Sequence, residues 1–283
     1  MLKGLVAALV IGSATVAQAE DAWMTIPRAP AMPEAVSSGL ADVNGISMYY
    51  ATYGADTGTP ILMIHGGLAH ADIWAAEVVD LSKDHRVIVA DTRGHGRSNN
   101  DGSDYTIELL AKDYIGLLDT LGVDKVHLVG WSDGANIGYE ISLIAPERLA
   151  SHFAHAGNVT LAGVNPAVDG NAVFASYITM MAADYAKMSP TPDQWDAFVG
   201  GISKMWYADK PNGIEALSVV KVPTLVVQGQ YDEAILPEHS AAIAAAIPGA
   251  RLLTLHNVSH FACLQDPAAY TAAIRAWLDE QAG

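Results

Sequence analysis

Three side chains with the most chemistry to offer lie far apart in the chain, each inside a short punctuated motif. Ser132 sits in Gly130-Trp131-Ser132-Asp133-Gly134, a Gly-x-Ser-x-Gly pattern. The apolar run Val126 to Val129 precedes it and a helical pattern follows, so the serine occupies the corner between a buried strand and a helix. Such a corner wants glycine two residues to either side, because a Cβ there would push strand and helix apart. Its backbone is strained, its hydroxyl projects, and the N–H groups of the helix start lie beneath it. A serine hydroxyl is a poor nucleophile until a base takes its proton. His260, in Ser259-His260-Phe261 after the last predicted strand, is the candidate base, with His256 as its competitor. The base in turn needs a carboxylate to fix its tautomer and stabilise its imidazolium. Asp232 follows an apolar strand and a glycine turn and falls between serine and histidine in chain order. Asp91 competes, but Arg93 and Arg97 beside it suggest a loop-bracing ion pair instead. His152 and His155 have no carboxylate or third ligand for a metal and read as core or edge histidines.

Attack on a carbonyl creates an oxyanion that needs two N–H donors. The backbone of Asp133, the residue after the serine, supplies one. Gly67, in the strand-ending His65-Gly66-Gly67-Leu68, supplies the other, since glycine lets the backbone approach closely. No metal and no organic cofactor is implied.

The elements that must position these groups follow from the hydrophobic pattern. Residues 40–43 and 46–50 form a hairpin about Asn44-Gly45, the strongest short hairpin signal. Strands are predicted at 60–64, 86–90, 126–129, 151–156, 222–227 and 250–255. Helices are predicted at 106–121, 134–145, 237–247 and 267–279. Strands alternating with helices make an α/β protein, a mostly parallel central sheet with helices on both faces. In such sheets the ligand sits beyond the carboxyl ends of the strands, where each polar cluster here falls. The strand pattern lapses over 158–213, which reads as a small helical cap between two core segments, 40–157 and 214–283. Met181 and Trp206 in the cap, and Trp131 beside the serine, are candidates to line a substrate pocket. The competing reading is that such residues pack the cap onto the core.

The chain has 283 residues, 51% of them hydrophobic, one cysteine and a formal charge of −16. That balance gives a self-repelling surface and speaks against a nucleic-acid or anionic-membrane partner. Met1-Leu2-Lys3, the apolar run Gly4 to Val16 and Ala17-Gln18-Ala19 make the pattern of a secretory signal peptide over residues 1–19. The run is short for a membrane span, so a periplasmic or secreted location is expected. Cys263 has no intrachain partner, which is compatible with an oxidising compartment. Residues 20–39, with Pro27, Pro30 and Pro33, form an extended arm.

Together these motifs resemble the α/β-hydrolase superfamily over about residues 40 to 282. His65-Gly66-Gly67 looks like its oxyanion loop, and Asp91-Thr92-Arg93-Gly94-His95-Gly96-Arg97-Ser98 looks like its structural turn. Gly130 to Gly134 resembles its elbow, Gly229-Gln230-Tyr231-Asp232 its acid loop, and Ser259-His260-Phe261 with Gln265-Asp266-Pro267 its histidine loop. The chain departs from the pattern at Ser259, where glycine is usual. The resemblance implies a serine hydrolase that cleaves a small-molecule ester or lactone through Ser132, His260 and Asp232, and the signal-peptide pattern adds the expectation that it is secreted. Trp131-Ser132-Asp133-Gly134 is also similar to the elbow of α-amino-acid ester hydrolases, in which the carboxylate after the serine receives the substrate ammonium. The same fold would also suit a C–C bond hydrolase or a non-catalytic ligand-binding protein.

Overall fold

The computed structural model describes residues 21–208 and 213–281. The predicted signal peptide lies outside these residues.

Strands come in chain order as β1 (Ser37–Val43), β2 (Ile46–Tyr53), β3 (Ile61–Ile64), β4 (Val87–Ala90), β5 (Val126–Trp131), β6 (Leu149–His155), β7 (Thr224–Gly229) and β8 (Arg251–Leu255). They form one sheet in the order β1-β2-β4-β3-β5-β6-β7-β8. β1, β2 and β4 pair antiparallel in turn, and every later pairing is parallel. The opening hairpin turns at Asn44 and Gly45, whose φ of 45° and 84° are the two positive values that a type I′ turn requires. From β3 the chain goes to β4 on one side and then to β5 on the other, so the order reverses about β3. A crevice opens beyond the carboxyl ends at such a point. The Gly66-Gly67 loop after β3 and Ser132 after β5 flank it.

Among the described residues six α-helices belong to the core: α1 (Ala75–Leu81), α2 (Ile107–Thr120), α3 (Asp133–Ile144), α6 (Pro237–Ala246), α7 (Ala262–Gln265) and α8 (Pro267–Gln281). Between β6 and β7 the chain forms α4 (Ala172–Met188) and α5 (Trp195–Trp206). Thr106 caps α2 by accepting the Leu109 N–H, as Ser/Thr caps do. β3 and β4 are buried throughout, whereas β8 on the sheet edge is largely exposed. Short α1 escapes a reading by periodicity because it spans only two turns. β7 runs two residues further than its apolar pattern, through Gln228-Gly229, because both pair with β8. Gly229 is needed there: a Cβ would stand 2.2 Å from the Ser259 carbonyl oxygen of the histidine loop.

The N-terminal arm lies along the surface and is tied at three points. Trp23 stacks on Tyr231 at 4.7 Å between ring centroids. Gln265 Nε2 donates to the Thr25 carbonyl. Arg28 donates to both carboxylate oxygens of Asp184 on α4, at 2.9 and 3.0 Å. Asp91 braces its loop, accepting from Arg97 Nε at 2.7 Å and from the backbone N–H groups of Ala71 and Arg97. Arg93 does not share that task as the sequence suggested. Its fork is taken by buried Asp113 of α2 at 2.7 and 2.8 Å, with Asp101 on its other nitrogen.

Glu77 of α1 is fully buried, and among the described residues neither of its carboxylate oxygens has a partner. Burial pushes its pKa from 4.5 up to about 8. The folded chain therefore keeps a proton that the unfolded chain releases above its ordinary pKa. Stability should fall by ~1.4 kcal/mol per pH unit as the pH climbs from the unfolded to the folded pKa of this group, then level off. Glu77→Gln removes that slope. Its urea midpoint should exceed the wild-type midpoint above pH 7 and converge with it near the ordinary carboxylate pKa; parallel pH profiles would refute the assignment.

Candidate active site

Ser132 caps α3 with φ 56° and ψ −117°, a region that costs a non-glycine residue of order 1–3 kcal/mol. Its neighbours hold it there. Its N–H donates to the His155 carbonyl at 2.8 Å, and its C=O accepts from Ala135 and Asn136. A Cβ on Gly130 would stand 2.4 Å from the Gly134 carbonyl oxygen. One on Gly134 would stand 2.1 Å from the Ile64 carbonyl oxygen of β3, so the second glycine serves the neighbouring strand rather than its own. The tight corner thus seats the start of α3 directly on β3 and β5.

Asp232 and His260 meet on the same rim. His260 Nδ1 lies 3.1 and 3.2 Å from the two Asp232 oxygens. The carboxylate is itself fixed, because its Oδ1 accepts the N–H groups of Ala234 and Ile235 at 2.9 and 2.8 Å. Burial acts to lower the His260 pKa, but the charge and hydrogen bond of Asp232, with Glu233 and Asp133 behind it, outweigh burial and raise it. Ser132 and His260 line one cavity of about 440 Å³. Among the described residues no hydrogen bond joins the serine hydroxyl to the imidazole. With Nδ1 on Asp232, Nε2 is the nitrogen left for the cavity, and this contact is often loose before substrate binds.

The other predicted groups divide. Gly67 packs so closely that a Cβ would stand 2.5 Å from both Asp133 Oδ2 and Trp206 Cζ2. Tyr177 of α4 donates to the Gly67 carbonyl at 2.6 Å. Leu68 follows with φ 66° and lines the cavity. Asp133 also lines the cavity, and its carboxylate accepts the Trp206 indole N–H at 2.8 Å. Trp206 is a lining residue, but Trp131 and Met181 are not. Trp131 is buried against His260, Phe261 and Tyr177. Met181 sits one turn further along α4 than the lining residue Ile178, where the helix has passed the cavity and meets the arm. His256 is exposed at the end of the edge strand. His152 and His155 are core residues whose pKa values burial lowers to about 3. His65, also neutral through burial, accepts the Thr92 N–H and ties the glycine loop to the Asp91 turn.

Some contributors gave no sequence signal. Phe174, Ile178, Val164, Val199 and Ile235 contribute to the apolar wall. Asn158 lines it too, and its N–H and Nδ2 are engaged by Asn136 and Thr160. Glu233 is different: adjacent to Asp232 and buried, it accepts the His260 backbone N–H at 3.0 Å. Its place beside the predicted acid was a signal that motif spacing did not use.

This sheet, with its elbow and its rim of polar groups, has the architecture of a hydrolase. A model of the Alpha/beta hydrolase family matches residues 61–273, and the chain belongs to that family. A protein of Pseudomonas savastanoi pv. phaseolicola provisionally named a carbamate hydrolase, RutD, is 29% identical over 78% of this chain and 95% of its own length. The rhodomycin D methylesterase DnrP of Streptomyces peucetius is 28% identical over 76% of this chain and 89% of its own. A solved structure described as an N-acyl homoserine lactone degrading enzyme is 28% identical, covers 84% of this chain and 99% of its own, and has a TM-score of 0.66. The chain is a hydrolase.

The raised affinity of His260 for its proton can be measured directly. Its imidazole should titrate above 6.5 by NMR, and Asp232→Asn should lower that value, because the charge that outweighs burial is gone. An unchanged titration in the variant would contradict the electrostatics described.

Proposed function

We propose that this chain is a secreted serine hydrolase that cleaves neutral carboxylic esters or lactones through an acyl-enzyme at Ser132. The observation that carries the reading is the Asp232-bound imidazole of His260 opening on the cavity that Ser132 lines. Ser132 Oγ attacks the carbonyl carbon while His260 Nε2 takes its proton. The carbonyl oxygen becomes an oxyanion held by the N–H groups of Asp133 and Gly67, each worth about 2.7–4 kcal/mol of barrier in such sites. Collapse breaks the acyl–oxygen bond, and the leaving alkoxide takes the proton back from His260. Water then attacks the acyl carbon, gives a proton to His260, and the proton returns to Ser132 as the acid departs. Asp232 stays ionised and steadies the imidazolium throughout.

Helices α4 and α5 serve as the cap, with Trp206, Phe174 and Ile178 walling the cavity. A neutral substrate is favoured over an anionic one because the lining carboxylates are Asp133 and Asp169, His260 is neutral when it acts as base, and no lysine or arginine lines the cavity among the described residues. An anion would meet like charge from these carboxylates. The esterase and lactonase names of two relatives agree with this range. Secretion rests on the pattern of residues 1–19.

A second reading, an α-amino-acid ester hydrolase, is favoured by one contact. Asp133 lines the cavity next to the serine, and the Trp206 indole, also of the lining, holds its carboxylate. In that case Asp133→Asn should depress turnover of amino-acid esters far more than of acetyl esters; equal losses count against it.

A fluorophosphonate probe should label wild-type protein at Ser132 and leave Ser132→Ala unlabelled. On a hydrolysis panel, p-nitrophenyl butyrate and N-acyl lactones should exceed a p-nitrophenyl hemiester bearing a free carboxylate by roughly tenfold, the ratio that a like-charge cost of about 1.4 kcal/mol produces. Preference for the anionic ester would sink the neutral-substrate assignment.

A further inference from the structure

Glu233 stands out among the buried charges. It is 8% exposed, and burial raises its pKa, so keeping it in place opposes its ionised form. Yet it sits at the junction of two loops. Its Oε2 accepts the His260 N–H at 3.0 Å, and its Oε1 accepts the Ser259 hydroxyl at 3.3 Å. Gln265 completes the bracket, its Oε1 accepting the Ser259 N–H at 2.6 Å and its Nε2 donating to the Ser259 oxygen at 2.9 Å. From the opposite side the indole N–H of Trp131 donates to the His260 carbonyl at 2.7 Å. The main chain of His260 is therefore held at both ends by side chains, one from the acid loop and one from the elbow. This arrangement also accounts for Ser259, which replaces the glycine usual before this histidine: its hydroxyl binds Glu233.

We infer that Glu233 is a positioning residue of the site: its carboxylate fixes the main chain of His260 against the elbow and adds a second negative charge behind the imidazole that Asp232 holds. The inference rests on the serine-hydrolase reading above. A glutamine could accept the same N–H without the desolvation cost of a buried charge. What the glutamate adds beyond a hydrogen-bond acceptor is its charge, which favours the protonated form of the neighbouring imidazole. The groups facing that imidazole are Asp232 on Nδ1, Asp133 from α3, Glu233, and His155 from β6, which burial keeps neutral. Removing one anion from this set weakens proton binding at His260, so a base-dependent step should persist to lower pH.

The test is the rate at which a fluorophosphonate labels Ser132 between pH 5 and 9 in full-length wild type, E233Q, E233A and S132A. In E233Q the acidic limb should move down by about half a pH unit or more, with the plateau within about threefold of wild type. E233A loses the acceptor as well, and its plateau should fall roughly tenfold to a hundredfold, as displaced catalytic groups commonly cause. E233Q thus rescues most of the rate but not the limb, a split that a merely structural residue would not produce. If E233A does not fold, the E233Q limb decides alone. A limb unmoved in E233Q, with labelling confined to Ser132, overturns the assignment by itself. Labelling of S132A at the wild-type rate overturns the serine-hydrolase reading and the assignment with it.

Discussion

The corner at Ser132 exists because backbones touch there. Gly130 lets β5 meet the first turn of α3, and Gly134 lets that turn lie on the carbonyl end of β3. No side chain fits at either contact, so the serine is forced into a left-handed conformation that it would not otherwise adopt. The rest of the rim is built around that fixed point. The glycine loop after β3 passes close enough for Gly67 to touch Asp133 and Trp206, and the histidine loop comes close enough to require Gly229. Steric exclusion, rather than any single attraction, sets the scale of the site.

Within that frame, electrostatics sorts the histidines. His65, His95, His152 and His155 are buried without a carboxylate bonded to the ring, and burial drives their pKa values down to about 3 or 4. They stay neutral and brace the core or its loops. His260 is equally buried, but Asp232 on Nδ1 with Glu233 and Asp133 behind it reverses the sign of the shift. Two opposing effects act on one residue type, and the neighbouring charge decides which wins. Asp91 is held by Arg97 and backbone N–H groups, whereas Asp232 is held by backbone N–H groups and an imidazole.

The cavity wall depends on contacts between distant segments. Trp206 reaches Asp133 from α5, and Tyr177 reaches the Gly67 carbonyl from α4. Arg28 ties the N-terminal arm to α4 through Asp184, while Trp23 and Thr25 reach the acid and histidine loops. The elements over the cavity are therefore anchored both to the glycine loop after β3 and to the arm outside.

The order of the strands and of the longer core helices, the Asn44-Gly45 hairpin, the strained corner and the residues proposed for chemistry could be read from sequence. Each is encoded locally, in a period, a turn dipeptide or a glycine that sterics demand. Folding decided what local patterns cannot carry. Met181 and Trp206 look alike as apolar cap residues, yet only Trp206 borders the cavity, because the path of α4 takes Met181 past it toward the arm. Arg93 lies two residues from Asp91, yet its partners are Asp113 and Asp101. Trp131, next to the serine in sequence, turns away to hold the His260 carbonyl, and Glu233 holds its N–H. Such pairings join residues far apart in the chain or choose between near neighbours of equal chemistry, and only the packed chain specifies which groups face one another.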